Sequence, residues 1–186
     1  MDSSSAVLID NFLPQLTFNS ISTKVVESHH YTNGKLGDYV RDALWDEVTN
    51  LVFARLKEIG LYSDSFEEDK KVTNFSYNQF RPSNYYHGYA PGPHIDNGSY
   101  VFYIHPDWDA GWGGKLKLPQ ANEQEYRDGI WARPNRFIWM NPNVLHDIST
   151  TSESATHARV TNLGFLNRCF DQNPVGVDYI NISTTI

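Results

Sequence analysis

From Val72 onward the chain is a succession of short segments rich in Tyr, Phe, Trp, Val and Ile, each closed by Gly, Pro, Asn or Asp. Segments this short, built from β-branched and aromatic residues between turn formers, pack as strands and not as a helical bundle. Strands are expected at 73–80, 94–104, 115–118, 136–140, 145–149 and 157–166. Turn chemistry separates them at APGP (90–93), DAGWGG (109–114) and MNPN (140–143).

Upstream the pattern differs. Val7, Leu8 and Ile9, then Phe12 and Leu13 closed by Pro14, suit a strand ending in a turn. Over 38–59, Val40, Leu44, Val48, Leu51, Val52 and Ile59 recur at helical spacing, with Asp38 as N-cap and Gly60 as stop. The run Glu67, Glu68, Asp69, Lys70, Lys71 changes sign midway and reads as a solvated loop. Helix first and strands after predicts a mainly β sandwich or jelly roll with helical support, an α+β arrangement. At 186 residues the chain makes one domain: N-terminal strand and helical support over 1–71, a jelly-roll core over 72–170, and a C-terminal tail over 171–186 whose last stretch, NISTTI (181–186), is polar and loosely held. It carries no repeat of 20–50 residues.

Charge and cysteine content narrow the chemistry. A net charge of −7 excludes a broad nucleic-acid footprint while leaving room for a local basic pocket. With neither a membrane-length apolar run nor a secretory leader, the expectation is a cytoplasmic protein without a membrane partner. The single Cys169 supplies no internal disulfide and no thiolate cluster, so a metal would have to be held by histidine and carboxylate.

Two of the seven histidines begin a His-X-Asp triplet, His94-Ile95-Asp96 and His105-Pro106-Asp107. Side chains at i and i+2 of a strand leave the same face, so an imidazole and a carboxylate can grip one ion. Chance composition alone supplies roughly 0.5 such triplets, so context must decide. Pro106 and the glycine-rich turn beyond it make the second triplet a strand end running into a loop. The first opens the β-prone segment that ends in Tyr100-Val101-Phe102-Tyr103-Ile104. A third ligand is available in His146, which follows Phe137-Ile138-Trp139-Met140 and Val144-Leu145. Two imidazoles and one carboxylate form the facial triad of non-haem iron sites, with open positions opposite.

Arg159 begins the strand Arg159-Val160-Thr161-Asn162-Leu163-Gly164-Phe165 and shares a face with Thr161. A guanidinium can hold a carboxylate through two parallel hydrogen bonds, and a hydroxyl beside it can add a third. A simple hairpin centred between Ser152 and Glu153 would place Arg159 directly opposite His146.

On these residues the chain resembles the 2-oxoglutarate- and Fe(II)-dependent dioxygenases, in their prolyl-hydroxylase-like branch. The resemblance runs through VLIDNFLP, His94-Ile95-Asp96, YVFYIHPDWDAGWGGKLKL, PNRFIWMNPNVLHDIS and HARVTNLGF. Its most specific block is Tyr103-Ile104-His105, then Asp107-Trp108 and the paired Gly113-Gly114, with His105 where Asn is commoner. It implies a double-stranded β-helix in which the strand of the last histidine and the strand of the arginine lie in facing sheets. It also implies that His94, Asp96 and His146 bind Fe(II). Arg159, with Tyr103 and Thr161, would bind the distal carboxylate of 2-oxoglutarate.

The activity implied is hydroxylation of a C–H bond, with a prolyl residue as first substrate expectation, consuming O2 and 2-oxoglutarate and releasing succinate and CO2. Ascorbate is an optional accessory. Related halogenating enzymes lack the carboxylate ligand, so Asp96 favours hydroxylation. The partner is then a peptide, protein or small-molecule substrate. Loops 82–93, with Tyr85, Tyr86, His87 and Tyr89, and 120–129 are expected to select it. His29, His30 and His157 have no assigned role. Two competing readings remain: a non-enzymatic jelly-roll binding module, and a cupin-like metalloenzyme that does not use 2-oxoglutarate.

Overall fold

The computed structural model describes residues 5–28, 38–63, 67–78, 92–170 and 177–182. In chain order the elements are β1 (Ser5–Ile9), α1 (Gln15–Glu27), β2 (Asp38–Val40), α2 (Ala43–Glu58), α3 (Glu67–Lys70), β3 (Thr73–Asn78), β4 (His94–Ile95), β5 (Ser99–Tyr103), β6 (Leu116–Lys117), α4 (Gln124–Asp128), β7 (Phe137–Met140), β8 (Leu145–Ile148), β9 (Arg159–Phe165) and β10 (Asp178–Asn181). A 3-10 turn, Ala110–Trp112, precedes β6. The strands form two antiparallel sheets. The larger runs β10-β1-β7-β5-β9-β3-β2 and the smaller β4-β8-β6.

Period-two alternation on the central strands gives the large sheet two apolar faces, both buried. Val7, Ile9, Tyr100, Phe102, Phe137, Trp139 and Val160 face the helices, where Phe18, Ile21 and Val25 of α1 and Val48, Val52, Phe53 and Leu56 of α2 cover them. Ala6, Leu8, Tyr103, Ile138, Met140 and Ile180 face the other way, against Leu116, Leu118, Ile130 and Val144. Each large side chain so buried contributes about 1.5–3 kcal/mol. A one-residue slip of any central strand would exchange the two faces, so register is tightly specified.

Side-chain hydrogen bonds cross the helix-side core, although the buried Trp139 Nε1 has no hydrogen-bond partner. Tyr100 Oη donates to Asn162 Oδ1 at 2.7 Å, and Asn162 Nδ2 donates to Thr49 Oγ1 at 3.1 Å, which ties α2 to β9. Asn135, at φ 59°, both donates to the Leu13 carbonyl and accepts from the Leu13 amide, each at 2.9 Å, pinning the turn after β1.

Several expectations need correction. The helix foreseen at 38–59 begins at Ala43, because the Asp42 carboxylate, not that of Asp38, caps it by accepting from the Trp45 amide at 2.8 Å. Asp38 lies in β2. Helix α1 was not foreseen; its buried positions Phe18, Ile21 and Val25 are diluted by Asn, Ser and Thr. The segment 94–104 is two strands, broken at Gly98, which sits at φ 86° against the Arg168 backbone. The charge run forms α3, with Asp69 accepting from Tyr62 Oη at 2.6 Å and Lys70 paired with Asp46 at 3.0 Å. The stretch 181–186 is not wholly loose, since Asn181 at the end of β10 pairs with Ser5 of β1 and Ile182 is buried; 183–186 lie outside the described residues. Strand 73–80 is described as far as Asn78. No helix among the described residues is long and apolar enough to cross a membrane.

Candidate metal centre and anion pocket

The pairing of β4 with β8 sets His94 directly opposite His146. Asp96 follows two residues after His94, just beyond the end of β4. One ligand atom from each of the three lies within 4.8 Å of the others, as a shared ion requires. The imidazole rings are 4.2 Å apart between centroids, inclined at 57°, and His146 Nε2 lies 3.3 Å from Asp96 Oδ2.

The backbone also sets the tautomers. His94 Nδ1 is 2.7 Å from the Gly92 carbonyl and His146 Nδ1 is 3.0 Å from the Val144 carbonyl. A carbonyl only accepts, so each Nδ1 carries a proton, and Nε2 is the ring atom left to face an ion or, in His146, the Asp96 carboxylate. That is the polarity a metal-binding imidazole needs, with the second nitrogen fixing ring orientation. Burial pushes the Asp96 carboxyl up, but the hydrogen bond and charge of His146 outweigh it and hold the group below its ordinary value. The trio therefore offers two imidazole nitrogens and one anionic oxygen.

The trio lines one wall of a cavity of about 340 Å³ between the sheets. Leu116 and Ile148 from the small sheet share that wall, while Ser99 and Val101 of β5, Met140 of β7, and Arg159, Thr161, Leu163 and Phe165 of β9 form the other. Strands β8 and β9 belong to different sheets, so Arg159 reaches the cavity across the sandwich and is not the hairpin neighbour of His146. Its backbone partner is Asn78 of β3.

Arg159 is only 4% exposed. Its Nη1 donates to the Gly114 carbonyl at 3.0 Å, Nε has no hydrogen-bond partner, and among the described residues no carboxylate forms an ion pair with it. Burial pulls its pKa down from the ordinary arginine value, yet the group stays cationic at neutral pH. Thr161 is directly opposite Tyr103 on the β5–β9 ladder, on the same face as Arg159. The Tyr103 ring lies 6.0 Å from the guanidinium carbon, and its buried hydroxyl also lacks a partner. Burial raises the Tyr103 phenol, with the Arg159 charge pulling the other way. A buried cation and a buried hydroxyl, both under-satisfied, make a cradle for an anion.

The paired glycines hold this cradle open. Gly114 sits at φ 64°, and a Cβ there would lie 2.8 Å from Arg159 Cδ. At Gly113, φ 74°, a Cβ would meet the Thr150 carbonyl at 2.2 Å. The sequence motif showed the pair but not its purpose, which depends on where β9 crosses the turn.

His105 lies just beyond the end of β5, where the strand runs into a loop as expected, and it is fully buried. Nε2 donates to the Ala132 carbonyl at 2.7 Å while Nδ1 accepts from the Val160 amide at 3.2 Å. Burial drives its pKa from 6.5 to about 3, against the pull of the Ala132 carbonyl. His157, unassigned from sequence, is buried beside Trp108 and Trp112 with Nε2 at 3.2 Å from Asp107 Oδ1. Neither joins the metal trio.

Residues 120–129, expected to help select the substrate, are not among the residues that line the cavity. Glu125, Tyr126 and Gly129 border a separate surface groove with Asp10, Arg136 and Asp178. His29, His30, Tyr85, Tyr86, His87 and Tyr89 lie outside the described residues. Neither known family models nor curated proteins provide a match to this chain.

Proposed function

We propose that the chain is an Fe(II)- and 2-oxoglutarate-dependent dioxygenase built on a double-stranded β-helix, hydroxylating a substrate C–H bond with release of succinate and CO2. The observation that carries this reading is the coexistence, in one cavity, of a two-imidazole, one-carboxylate face and a buried arginine without an acidic partner among the described residues. A three-ligand face suits a hard divalent ion with open positions, and the uncompensated cation asks for an anion beside it. A dicarboxylate that also chelates through a 2-oxo acid meets both demands.

The donor set fits Fe(II). Two neutral nitrogens and one carboxylate leave a bound ion with a net local charge of +1, which attracts an anionic cosubstrate. His94, Asp96 and His146 would hold the metal, and Arg159, Thr161 and Tyr103 the distal carboxylate. When bound, the iron supplies the activation of O2 coupled to cosubstrate decarboxylation. The protein's own part is to fix the imidazoles through the Gly92 and Val144 carbonyls, aim the guanidinium through the Gly114 carbonyl, and exclude water. Arg159 also favours this reading over a cupin-like enzyme without 2-oxoglutarate, which would have no use for a buried cation there.

The test is anaerobic titration of the purified protein with Fe(II) and then 2-oxoglutarate. A weak visible charge-transfer band, followed by succinate on admission of O2, is the expected result. Absence of both from protein that has bound metal would overturn the proposal.

A further inference from the structure

The cavity is graded along its length. Inward-facing side chains of the large sheet form rungs, because residues directly opposite on antiparallel strands share a face. One rung is Met140, Ser99 and Phe165; the next is Ile138, Val101 and Leu163; the third is Tyr103 with Thr161, and Arg159 lies beyond it. Six residues of β9 separate Arg159 from Phe165, about 20 Å of strand at 3.3 Å per residue. The Arg159 end is closed, with Tyr103, Thr161 and Arg159 buried, whereas Phe165 at the other end is 41% exposed.

The charge follows the same gradient. Among the described residues that line the cavity, the charged or readily ionisable groups are His94, Asp96, His146 and Arg159, all taken by the proposed metal and dicarboxylate. Tyr100 also lines it, but its hydroxyl is committed to Asn162. What is left for a substrate is apolar, Val101, Met140, Leu163 and Phe165 on the large sheet and Leu116 and Ile148 on the small one, with the buried Ser99 hydroxyl as a neutral polar group. A charged group entering this end would lose its hydration and meet no counter-ion among the described lining residues, which is costly. An aliphatic group would gain by leaving water.

We infer that the substrate presents an uncharged aliphatic group to the metal face, entering past Phe165 and packing on Val101, Met140 and Leu163. The inference rests on the dioxygenase reading, and it concerns the shape and charge of the reacting group. A hydrophobic residue within a peptide and a small apolar molecule share this chemistry; the experiment separates them.

Full-length protein is loaded with Fe(II) and 2-oxoglutarate, and succinate release above the substrate-free level is measured with three probe sets. The first is N-acetylated, C-amidated tripeptides with central Val, Leu, Ile or Pro; the second is neutral aliphatic amides and lactams; the third is the same tripeptides with central Asp, Glu, Lys or Arg. Binding of each probe is followed in parallel by NMR line broadening with Mn(II) in the metal site. The expected result is stimulation and broadening by the first or second set at least about tenfold above the third, since a mismatched group in such a pocket costs roughly that much or more. Preference for the first set assigns a peptide source and preference for the second a small molecule. Phe165→Glu should raise KM for the best aliphatic probe about tenfold, with Phe165→Leu restoring it. Equal or greater response to the charged set overturns the inference, as does silence of every aliphatic probe in both measurements. Substrate-free succinate and the charge-transfer band report separately on the dioxygenase reading. If those fail while aliphatic probes still broaden, the reading falls and the pocket's preference stands.

Discussion

His94 and His146 occupy directly opposed positions on β4 and β8, and each ring is held by its Nδ1 on the carbonyl two residues before it. Two short strands thus orient both nitrogen ligands through backbone alone. The arrangement predicts that ligand geometry survives without metal, so single ligand replacements should abolish binding without unfolding the chain. Asp96→Asn keeps the shape and removes the charge. It should weaken Mn(II) affinity by about 100-fold or more, beyond the 10–100-fold typical of an outer-shell change. Isothermal titration checks this, with far-UV circular dichroism as the folding control; unchanged affinity would remove Asp96 from the metal site.

Gly114→Ala places a methyl group 2.8 Å from Arg159 Cδ in a backbone conformation, φ 64°, that L side chains rarely adopt. The strain should cost about 1–3 kcal/mol of stability. Displacement of the guanidinium should weaken 2-oxoglutarate binding about tenfold while Mn(II) binding stays near the parent value. Loss of both in proportion would mean that the turn supports the fold and not the anion cradle specifically.

His105 links stability to acid. Its folded pKa, about 3, lies below the 6.5 of the unfolded chain, so the unfolded state binds more protons between those values. Stability is therefore fully present above pH 6.5 and is lost as pH falls toward 3, by as much as ~5 kcal/mol at 1.36 kcal/mol per unit. Urea unfolding at intervals across that window measures the slope. His105→Asn does not titrate there and should flatten the curve; an equal slope in the variant would assign the acid sensitivity elsewhere.

The legible parts of this molecule are those in which local pattern and tertiary role coincide. Strands β5, β7 and β9 are dense in aromatic and β-branched residues because both faces of the large sheet are buried. Helix α2 carries an unbroken apolar stripe, and its start is misread only because Asp38 and Asp42 are both plausible caps. The closeness of His94, Asp96 and His146 was legible in the triplet taken together with His146, although β4 ends at Ile95 and strand period alone does not place Asp96. Helix α1 and strand β10 were hidden because each buries few side chains among many polar ones, as with Ile180 between exposed neighbours. The buried role of His105 and the clearance at Gly114 could not be read at all. Both depend on the approach of β9 to segments some 45–55 residues away in sequence.

Arg159 should show a conflict between stability and function. Burying a guanidinium with one carbonyl partner and no counter-ion among the described residues costs desolvation that the metal-free, cosubstrate-free protein does not recover. Arg159→Met keeps the length and apolar stem while removing the charge. The variant should gain about 1–3 kcal/mol in the absence of ligands, a raised melting temperature in calorimetry, and at the same time lose detectable 2-oxoglutarate binding. Added 2-oxoglutarate with Mn(II) should stabilise the parent and leave the variant at its Mn(II)-only value, since only a ligand that binds the folded state shifts its stability. A variant that is less stable than the parent and still responds to 2-oxoglutarate would show that Arg159 is a structural tie to Gly114, and the anion would have to be sought elsewhere in the cavity.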